Sequence, residues 1–374
     1  MTARVLIAGG GVAAIEATLA LHALAEDRVE IELLGAEPHF WYRPLSVAEP
    51  FGLGKPTRYE IGALAAAAGS GTFTLGRLLG VDTARHEALT SVGEIGYDIL
   101  LVAVGAVPTP AVPGALTFRG PADSERIGDV LRDLRSGAIR RIVFAVPSGE
   151  CWPLPLYELA LMTGSHLQAI GIHDVELVLV TPEHTPLQLF EHEGSDMVRR
   201  LLDERRIALL TNSSAVGYAH GELRLASGDA IYADRVITVP ELHGPRLDGI
   251  PATLDGFIPI DSHGRVVGLA DVYAAGDITD FPVKQGGIAT QLADVAAQAI
   301  AAQTGADVVP QPFTPVLRAL LLTGREPLYL RRKLPGLARV ATVRQGSPLR
   351  PRTKIRGLYL SRFLASRARI PSRR

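Results

Sequence analysis

Apolar residues in this chain fall into short continuous runs, and the stretches between them have helical spacing. Between the first two runs, for example, Ile15, Leu19 and Leu24 repeat at the period of a helix. The runs have the length and composition of buried parallel strands, and they cover residues 5–8, 29–34, 99–104, 141–146, 175–180 and 272–275. This alternation predicts an α/β fold with parallel sheets, organised as Rossmann-like units.

A glycine-rich turn lies between the first predicted strand and the first predicted helix. Residues 9–14 read Gly-Gly-Gly-Val-Ala-Ala, which fits the G-x-G-x-x-G/A pattern in its strand–turn–helix context. Gly9 permits the tight turn, and Gly11 lets the backbone approach a pyrophosphate. That anion would rest on the N–H groups of the helix start at Val12 and Ala13, while Ala14 replaces the third glycine. The turn predicts a dinucleotide site; a glycine turn without a ligand is the alternative.

The second predicted strand lacks the acidic residue that usually ends it and holds the ribose hydroxyls. The run ends at Gly35, and the nearest carboxylate is Glu37. Two arrangements therefore stay open. Either Glu37 reaches back to the ribose, or backbone groups alone hold it.

The turn after residues 141–146 has no glycine pattern of the kind that residues 9–14 have. Pro147, Pro153 and Pro155 have no N–H to offer a phosphate. Trp152 fills space that a pyrophosphate would need, and Glu150 would repel it. We therefore expect that no dinucleotide binds at this turn.

Composition describes a globular chain and excludes several classes of chemistry. The 374 residues are 47% hydrophobic with a net charge of −1, which excludes a disordered chain. The single cysteine, Cys151, excludes an intrachain disulfide, a redox dithiol and a cysteine-based zinc site. His184 and His192 lie in residues 181–195, which we interpret as a solvated loop, and their spacing fits no metal site. Without a membrane-spanning apolar run or a signal-peptide pattern, we expect a cytoplasmic protein.

Charge is distributed unevenly along the chain. Residues 327–374 hold 14 of the 38 Lys and Arg residues and no acid, so the rest of the chain has a net charge of −15. A basic tail predicts an anionic partner. Residues 316–322 and 355–364 mix apolar and basic side chains, which would suit peripheral contact with an anionic membrane at its inner face. The alternative is packing on the protein's own acidic body or across a homodimer; no nucleic-acid module is recognisable.

Three motifs, taken together, resemble the FAD motifs of the pyridine nucleotide–disulfide oxidoreductase superfamily, flavoproteins with two dinucleotide-binding domains. They are the turn at residues 9–14, the strand and turn at residues 97–106, and the strand at residues 271–277 with the helix after it. The resemblance implies an FAD cofactor, with Asp277 bonded to the ribityl chain and the helix N-terminus directed at the isoalloxazine. The other cofactor contacts that it implies fall on Val81 at the adenine, Gly105, Gly276 and Ile288.

Two further segments are similar to the flavin-side loops of sulfide:quinone oxidoreductases and type II NADH dehydrogenases. They are residues 38–45, which contain Arg43, and residues 282–287, which contain Lys284. The resemblance implies that Lys284 places a cation near the flavin N1–O2 edge. A solvated loop lysine is the alternative.

The segment from Cys151 to Glu158 resembles the cysteine loop of sulfide:quinone oxidoreductases and flavocytochrome c sulfide dehydrogenases. Cys151 falls at, or within one residue of, one of their two catalytic cysteines, and the second has no counterpart here. Two interpretations stay open. In the first, the helix that starts near Leu156 lowers the pKa of Cys151, which then acts as a lone thiolate. In the second, Cys151 is a buried and inert thiol.

These features predict an interrupted domain organisation. Residues 1–113 and 249–305 form the FAD-binding domain, and residues 306–374 form a basic C-terminal segment. Residues 114–248 form an inserted domain that the resemblance implies to be NAD(P)-binding-like, with a degenerate glycine loop to which we expect NAD(P)H not to bind. The function that follows is an FAD-dependent oxidoreductase that passes electrons from a small reductant to a quinone-like acceptor. The alternative is a flavoprotein electron carrier, or a partner-binding subunit, without its own reductant site.

Overall fold

The computed structural model describes residues 2–68, 71–334, 341–345 and 354–367. The predicted α/β class is confirmed: two five-stranded parallel sheets, each covered by helices, form the body of the protein. Elements are numbered here in chain order. In the part of the chain that the structure describes, no helix is long and apolar enough to cross a membrane.

The first sheet has the strand order β20-β9-β1-β2-β5, with all its strands parallel. The strands are β1 (Ala3–Ala8), β2 (Val29–Gly35), β5 (Thr72–Leu75), β9 (Ile99–Val102) and β20 (Val272–Ala274). Its helices are α1 (Val12–Ala25), α2 (Ile61–Ala67) and α6 (Gly286–Gln303). Helices α1 and α6 pack directly on each other, and the buried alanines of both allow the close approach.

The second sheet has the order β11-β18-β12-β13-β14 and is also parallel. Its strands are β11 (Leu116–Thr117), β12 (Arg141–Ala145), β13 (Glu176–Val180), β14 (Ile207–Leu210) and β18 (Arg235–Thr238). Its helices are α3 (Ser124–Ser136), α4 (Leu154–Ala169) and α5 (Glu191–Glu204). The interpretation of residues 181–195 as a solvated loop is wrong in its second half, because α5 begins at Glu191.

Small antiparallel sheets complete the two units. They are formed by β3 (His39–Tyr42) with β4 (Thr57–Glu60), by β6 (Leu78–Asp82), β7 (Glu87–Thr90) and β8 (Gly93–Gly96), and by β15 (Ala215–Ala219), β16 (Glu222–Leu225) and β17 (Ala230–Tyr232). Where the chain crosses between the units, β10 (Val107–Thr109) pairs with β19 (Glu241–His243). The second sheet is therefore built from a segment inserted within the first unit.

The C-terminal segment packs on the protein body wherever the structure describes it. It contains an antiparallel sheet of β21 (Val316–Leu321), β22 (Leu328–Lys333) and β23 (Ala341–Gln345), followed by α7 (Leu360–Arg367). Residues 316–322 are thus largely a buried strand and not a membrane-surface element. Arg332 lies 3.1 Å from the Glu191 carboxylate and donates to the Leu189 carbonyl. This contact is of the kind expected if the basic tail packs on the protein's own acidic body. Six of the 14 tail cations, at 339, 350, 352, 369, 373 and 374, lie outside the described residues.

Candidate functional site

A cleft of about 780 Å³ opens at the carboxyl ends of the first sheet's strands. Its floor is formed by the turns that follow β1, β2, β9 and β20. From β1 the chain continues to β2 and β5 on one side of the sheet and later returns to β9 and β20 on the other side, so the strand order reverses at β1. Ligands of open α/β sheets bind at such a switch point. Trp152 and Leu154 of the second unit, with Lys354 and Ile355 of the C-terminal segment, form the other walls. The volume is within the range of small-molecule and cofactor sites.

The turn after β1 presents an open helix N-terminus to this cleft. Gly9 has a φ of +147°, and a Cβ there would lie 2.2 Å from the Ala103 carbonyl oxygen, so only glycine fits. Gly11 is the N-cap of α1, and no heavy atom lies within 4 Å of where its Cβ would be. The first intrahelical donor is Ile15, which leaves the N–H groups of residues 12–14 without helical acceptors. This is a fitting place for a phosphate.

Asp277 presents a carboxylate to the same cleft. Gly276 precedes it with a φ of +84° and lies against α1. A Cβ on Gly276 would be only 3.0 Å from the Ala13 Cβ. Burial raises the pKa of Asp277 to about 6, and the nearby Lys284 ammonium opposes this shift. Asp277 makes no hydrogen bond to any residue that the structure describes, so its acceptor oxygens remain for a ligand.

Lys284 is a buried side chain of the cleft wall, which excludes the interpretation as a solvated loop lysine. Its Nζ donates to the Thr279 carbonyl at 2.6 Å, lies 3.5 Å from the Glu150 carboxylate, and stands 3.4 Å from the centre of the Phe257 ring. Burial lowers the pKa of Lys284, while Glu150 and Asp277 oppose that change. The two units therefore meet at a Glu150–Lys284 ion pair beside the cleft.

A second buried ion pair in the cleft was missed by sequence reasoning. Glu158 of α4 and Lys354 of the C-terminal segment both line the cleft, and Nζ lies 2.5 and 2.6 Å from the two carboxylate oxygens. The Leu322 N–H also donates to Glu158, and the Pro44 carbonyl accepts from Lys354. Burial raises the pKa of Glu158, with Lys354 opposing. In the sequence, Glu158 is the last residue of the segment that resembles the cysteine loop, and Lys354 is one of the 14 cations of residues 327–374, so neither suggested a pair.

The other predicted cofactor residues divide between the cleft and the surrounding core. Val12, Ala13, Glu37, Arg43 and Gly105 line the cleft; the Glu37 and Arg43 side chains are exposed at it, and Glu37 lies 3.9 Å from the Arg77 guanidinium. Three predicted residues lie in the core and do not line it: Ala14, Ile288 and Val81. The Val81 N–H donates to the Asp248 carbonyl at 2.7 Å.

Aromatic and carboxylate side chains surround the turn after β12 in the second unit. Trp152 makes an edge-to-face contact with Phe190, with ring centres 6.5 Å apart. Glu183, at the end of β13, is buried and not solvated as predicted; it accepts from Tyr157 at 2.6 Å and from Thr181 at 2.9 Å. Helix α4 begins at Leu154, and Pro155 in its first turn offers no N–H.

The surroundings of Cys151 favour the protonated thiol over the thiolate. Burial, together with the Glu183, Glu241 and Glu150 carboxylates, raises its pKa to about 12. Its Sγ contacts the Pro147 carbonyl, and it does not line the cleft. Of the two interpretations of Cys151, this environment favours the buried and inert thiol. In the described ranges no group of His, Cys, Asp or Glu residues is arranged to hold a metal ion.

No family model matches the sequence, and no curated protein matches it. The chain shares its two-sheet α/β fold with several solved oxidoreductases and reductases, and the fold prediction is confirmed. Its structure is similar to that of the sulfide:quinone oxidoreductase from the hyperthermophilic bacterium Aquifex aeolicus, with a TM-score of 0.81 and 18% identity over 92% of this chain and 87% of that one. It is also similar to the ferredoxin reductase for the CYP199A2 system of Rhodopseudomonas palustris, with a TM-score of 0.68 and 19% identity over 89% and 83% of the two chains. The NAD-dependent persulfide reductase from A. fulgidus matches with a TM-score of 0.63 and 17% identity over 88% of this chain and 64% of that one.

Proposed function

We propose that the cleft binds FAD without covalent attachment and that the chain is an FAD-dependent oxidoreductase. The observation that carries this proposal is the presence, in one cleft, of an open helix N-terminus at Gly11 and the unpartnered carboxylate of Asp277. The first suits a pyrophosphate and the second suits a polyhydroxyl chain. Bound FAD would supply two-electron redox chemistry at its flavin ring.

The chain's own residues would bind and orient that cofactor. The N–H groups of Val12 and Ala13 would donate to the pyrophosphate, and Asp277 would accept from ribityl hydroxyls. The buried Lys284 would supply a fixed positive charge on the cleft wall, held in place by the Thr279 carbonyl and Glu150. Such a charge stabilises negative charge more strongly in a water-poor site than in bulk water.

The reductant in this proposal is not NAD(P)H. The turn after β12 in the second unit contains prolines, which have no N–H to donate to a pyrophosphate, and Trp152 of this turn contacts Phe190. We expect saturating NADH or NADPH to reduce the flavin far more slowly than a physiological donor would. Anaerobic mixing with NADH, NADPH and sulfide, followed by the visible flavin band, tests this expectation. Rapid and complete bleaching at micromolar NADH would contradict it.

The proposed acceptor is quinone-like. A quinone takes up protons with its electrons, and the cleft contains the buried carboxylate and ammonium of Glu158 and Lys354, which would hold a proton there. The similarity in fold to a sulfide:quinone oxidoreductase agrees with this acceptor. A flavoprotein electron carrier is the second candidate, and the raised pKa of Cys151 together with the prolines in the second unit's turn favours it. Bleaching by none of the three donors in the same experiment would favour the carrier.

Peripheral contact with an anionic membrane is part of this proposal. Residues 327–374 carry the excess of basic residues, and Leu358 is exposed near Arg356 and Arg362. Each cation near an anionic surface contributes about 1 kcal/mol before screening. We expect the protein to sediment with anionic vesicles at low salt and to be released at high salt. Failure of the intact protein to sediment at low salt would contradict this part.

A further inference from the structure

A second cavity, of about 350 Å³, lies between the second unit and the C-terminal segment and shares no lining residue with the cleft. The last turns of α4 and α5 and the start of β13 surround it. Part of its wall is apolar and is formed by Leu167, Ile172, Val175 and Leu177. Its charged residues are Arg205, Arg206, Arg325 and Glu204, and the exposed His173 also lines it. This cavity is called the arginine pocket below.

Arg205 is a fixed part of the wall of the arginine pocket. Its residue is only 3% exposed, and its Nε donates to the Ser165 hydroxyl at 2.8 Å. Its two Nη atoms donate to the carbonyls of Leu201 at 2.9 Å and Thr323 at 3.2 Å. Gly164 leaves room for this side chain, because a Cβ there would lie 2.9 Å from the Arg205 Cβ. Neutral acceptors on three different elements therefore hold a buried positive charge in one place.

Negative charge in the chain compensates these arginines poorly. Glu204 is exposed, and its Oε2 lies 3.5 Å from the Arg205 Nη1. Burial lowers the pKa of Arg205, and Arg325 acts in the same direction, while Glu204 opposes both. Arg206 and Arg325 form no ion pair with any described residue, and the residues outside the described ranges include no Asp or Glu. Three arginines and one glutamate leave the pocket with a net formal charge of +2.

The helix that ends at the pocket does not account for this excess charge. Basic residues are common at helix C-termini because they complement the free carbonyls there. At the end of α5, however, the carbonyls of residues 202 and 203 accept from backbone N–H groups, and the Glu204 carbonyl accepts from the Gln168 amide at 2.9 Å. Gln168 also accepts from Arg325 at 2.8 Å and so positions that side chain. Arg206 and Arg325 therefore keep guanidinium N–H groups without acceptors among the described residues.

We propose that the arginine pocket binds a small organic anion, with its phosphate or carboxylate group at Arg206 and Arg325 and its apolar part against Leu167 and Ile172. Guanidinium groups donate in pairs to the oxygens of such groups. The buried Arg205 adds a positive charge that water screens less than an exposed one. The volume is within the range of small-molecule sites. The pocket is separate from the cleft, so the proposal does not depend on FAD.

Equilibrium dialysis of the full chain against phenyl phosphate, at an ionic strength of about 0.15 M, tests the proposal. Excess FAD is present to fill any phosphate site in the cleft, and the variants distinguish the two sites whether or not FAD binds. We expect saturable binding to the wild type. The double variant Arg206→Gln with Arg325→Gln should weaken it by at least about tenfold, because hydrogen bonds to a charged group contribute about tenfold to a hundredfold each. Both side chains are exposed, so we expect the variant to fold, and thermal unfolding checks this.

A matched control separates the pocket from general charge effects. Arg199→Gln with Arg200→Gln removes the same charge from exposed positions of α5 that do not line the pocket, and it should change the affinity by less than about twofold.

Three further probes identify the parts of the ligand that bind. Benzoate should compete with phenyl phosphate, and the tighter of the two identifies the preferred acid group. Inorganic phosphate, which lacks the apolar part, should bind about tenfold more weakly than phenyl phosphate. Phenol, which lacks the charge, should not compete. Absence of saturable binding of phenyl phosphate and benzoate at millimolar concentrations, or equal affinities of the wild type and the Arg206–Arg325 variant, would overturn the proposal. An equal loss in both double variants would overturn it as well.

Discussion

Replacement of Lys354 by methionine is expected to cost about 3–5 kcal/mol of unfolding free energy at pH 7, because it leaves the Glu158 carboxylate buried and without its charge partner. Glu158 is fully buried, and after the substitution the Leu322 N–H is its one remaining hydrogen-bond donor among the described residues. Denaturant unfolding of the wild type and of Lys354→Met measures the difference.

The pH dependence distinguishes this effect from a simple loss of packing. Burial already raises the pKa of Glu158 above its usual value, and loss of the ammonium would raise it further. A carboxyl whose pKa is higher in the folded than in the unfolded state takes up a proton on folding at intermediate pH. The deficit should therefore shrink as the pH falls from 7 to 5. The double variant Lys354→Met with Glu158→Gln should recover most of the loss at pH 7, and equal stability of Lys354→Met and wild type at that pH would contradict the buried pair.

Replacement of Gly11 by aspartate is expected to abolish tight FAD binding while leaving the fold intact. No atom lies within 4 Å of the Cβ position, and the φ of −94° suits any residue, so the apoprotein has room for the side chain. Aspartate is also a favoured N-cap, which should support α1. Its carboxylate would face the pyrophosphate, and two charges about 4 Å apart repel by about 4 kcal/mol at an effective dielectric constant near 20, or roughly a thousandfold in Kd.

Matched variants make the comparison with Gly11→Asp specific. Gly11→Asn has a similar size and capping ability without the charge, so it should lose less affinity. Gly9→Ala should instead destabilise the fold, because its Cβ would collide with the Ala103 carbonyl. FAD titration by fluorescence and thermal unfolding of each apoprotein measure the two effects separately. Unchanged FAD affinity in Gly11→Asp would show that the pyrophosphate does not lie at this helix.

Local patterns predicted the parts of the site that neighbouring residues build. The turn at residues 9–14 and the Gly276–Asp277 pair follow buried strands within a few positions, so short-range periodicity was enough to place them. The Glu158–Lys354 pair joins positions far apart in the sequence, and no local pattern carries that information. A mixture of apolar and basic residues at 316–322 suits a half-exposed strand as well as a surface helix, and only the pairing of β21 with β22 decides between them. Glu183 seemed solvated because its partner, Tyr157, lies on a different element.

The visible absorption spectrum of the protein, purified and then incubated with excess FAD, tests the central claim most directly. We expect one FAD per chain, released by denaturation and therefore not covalently attached. Asp277→Ala should bind FAD much more weakly, because it removes the free carboxylate of the cleft. A folded wild-type protein that retains no flavin after incubation and gel filtration, or an Asp277→Ala variant with full flavin occupancy, would contradict the account.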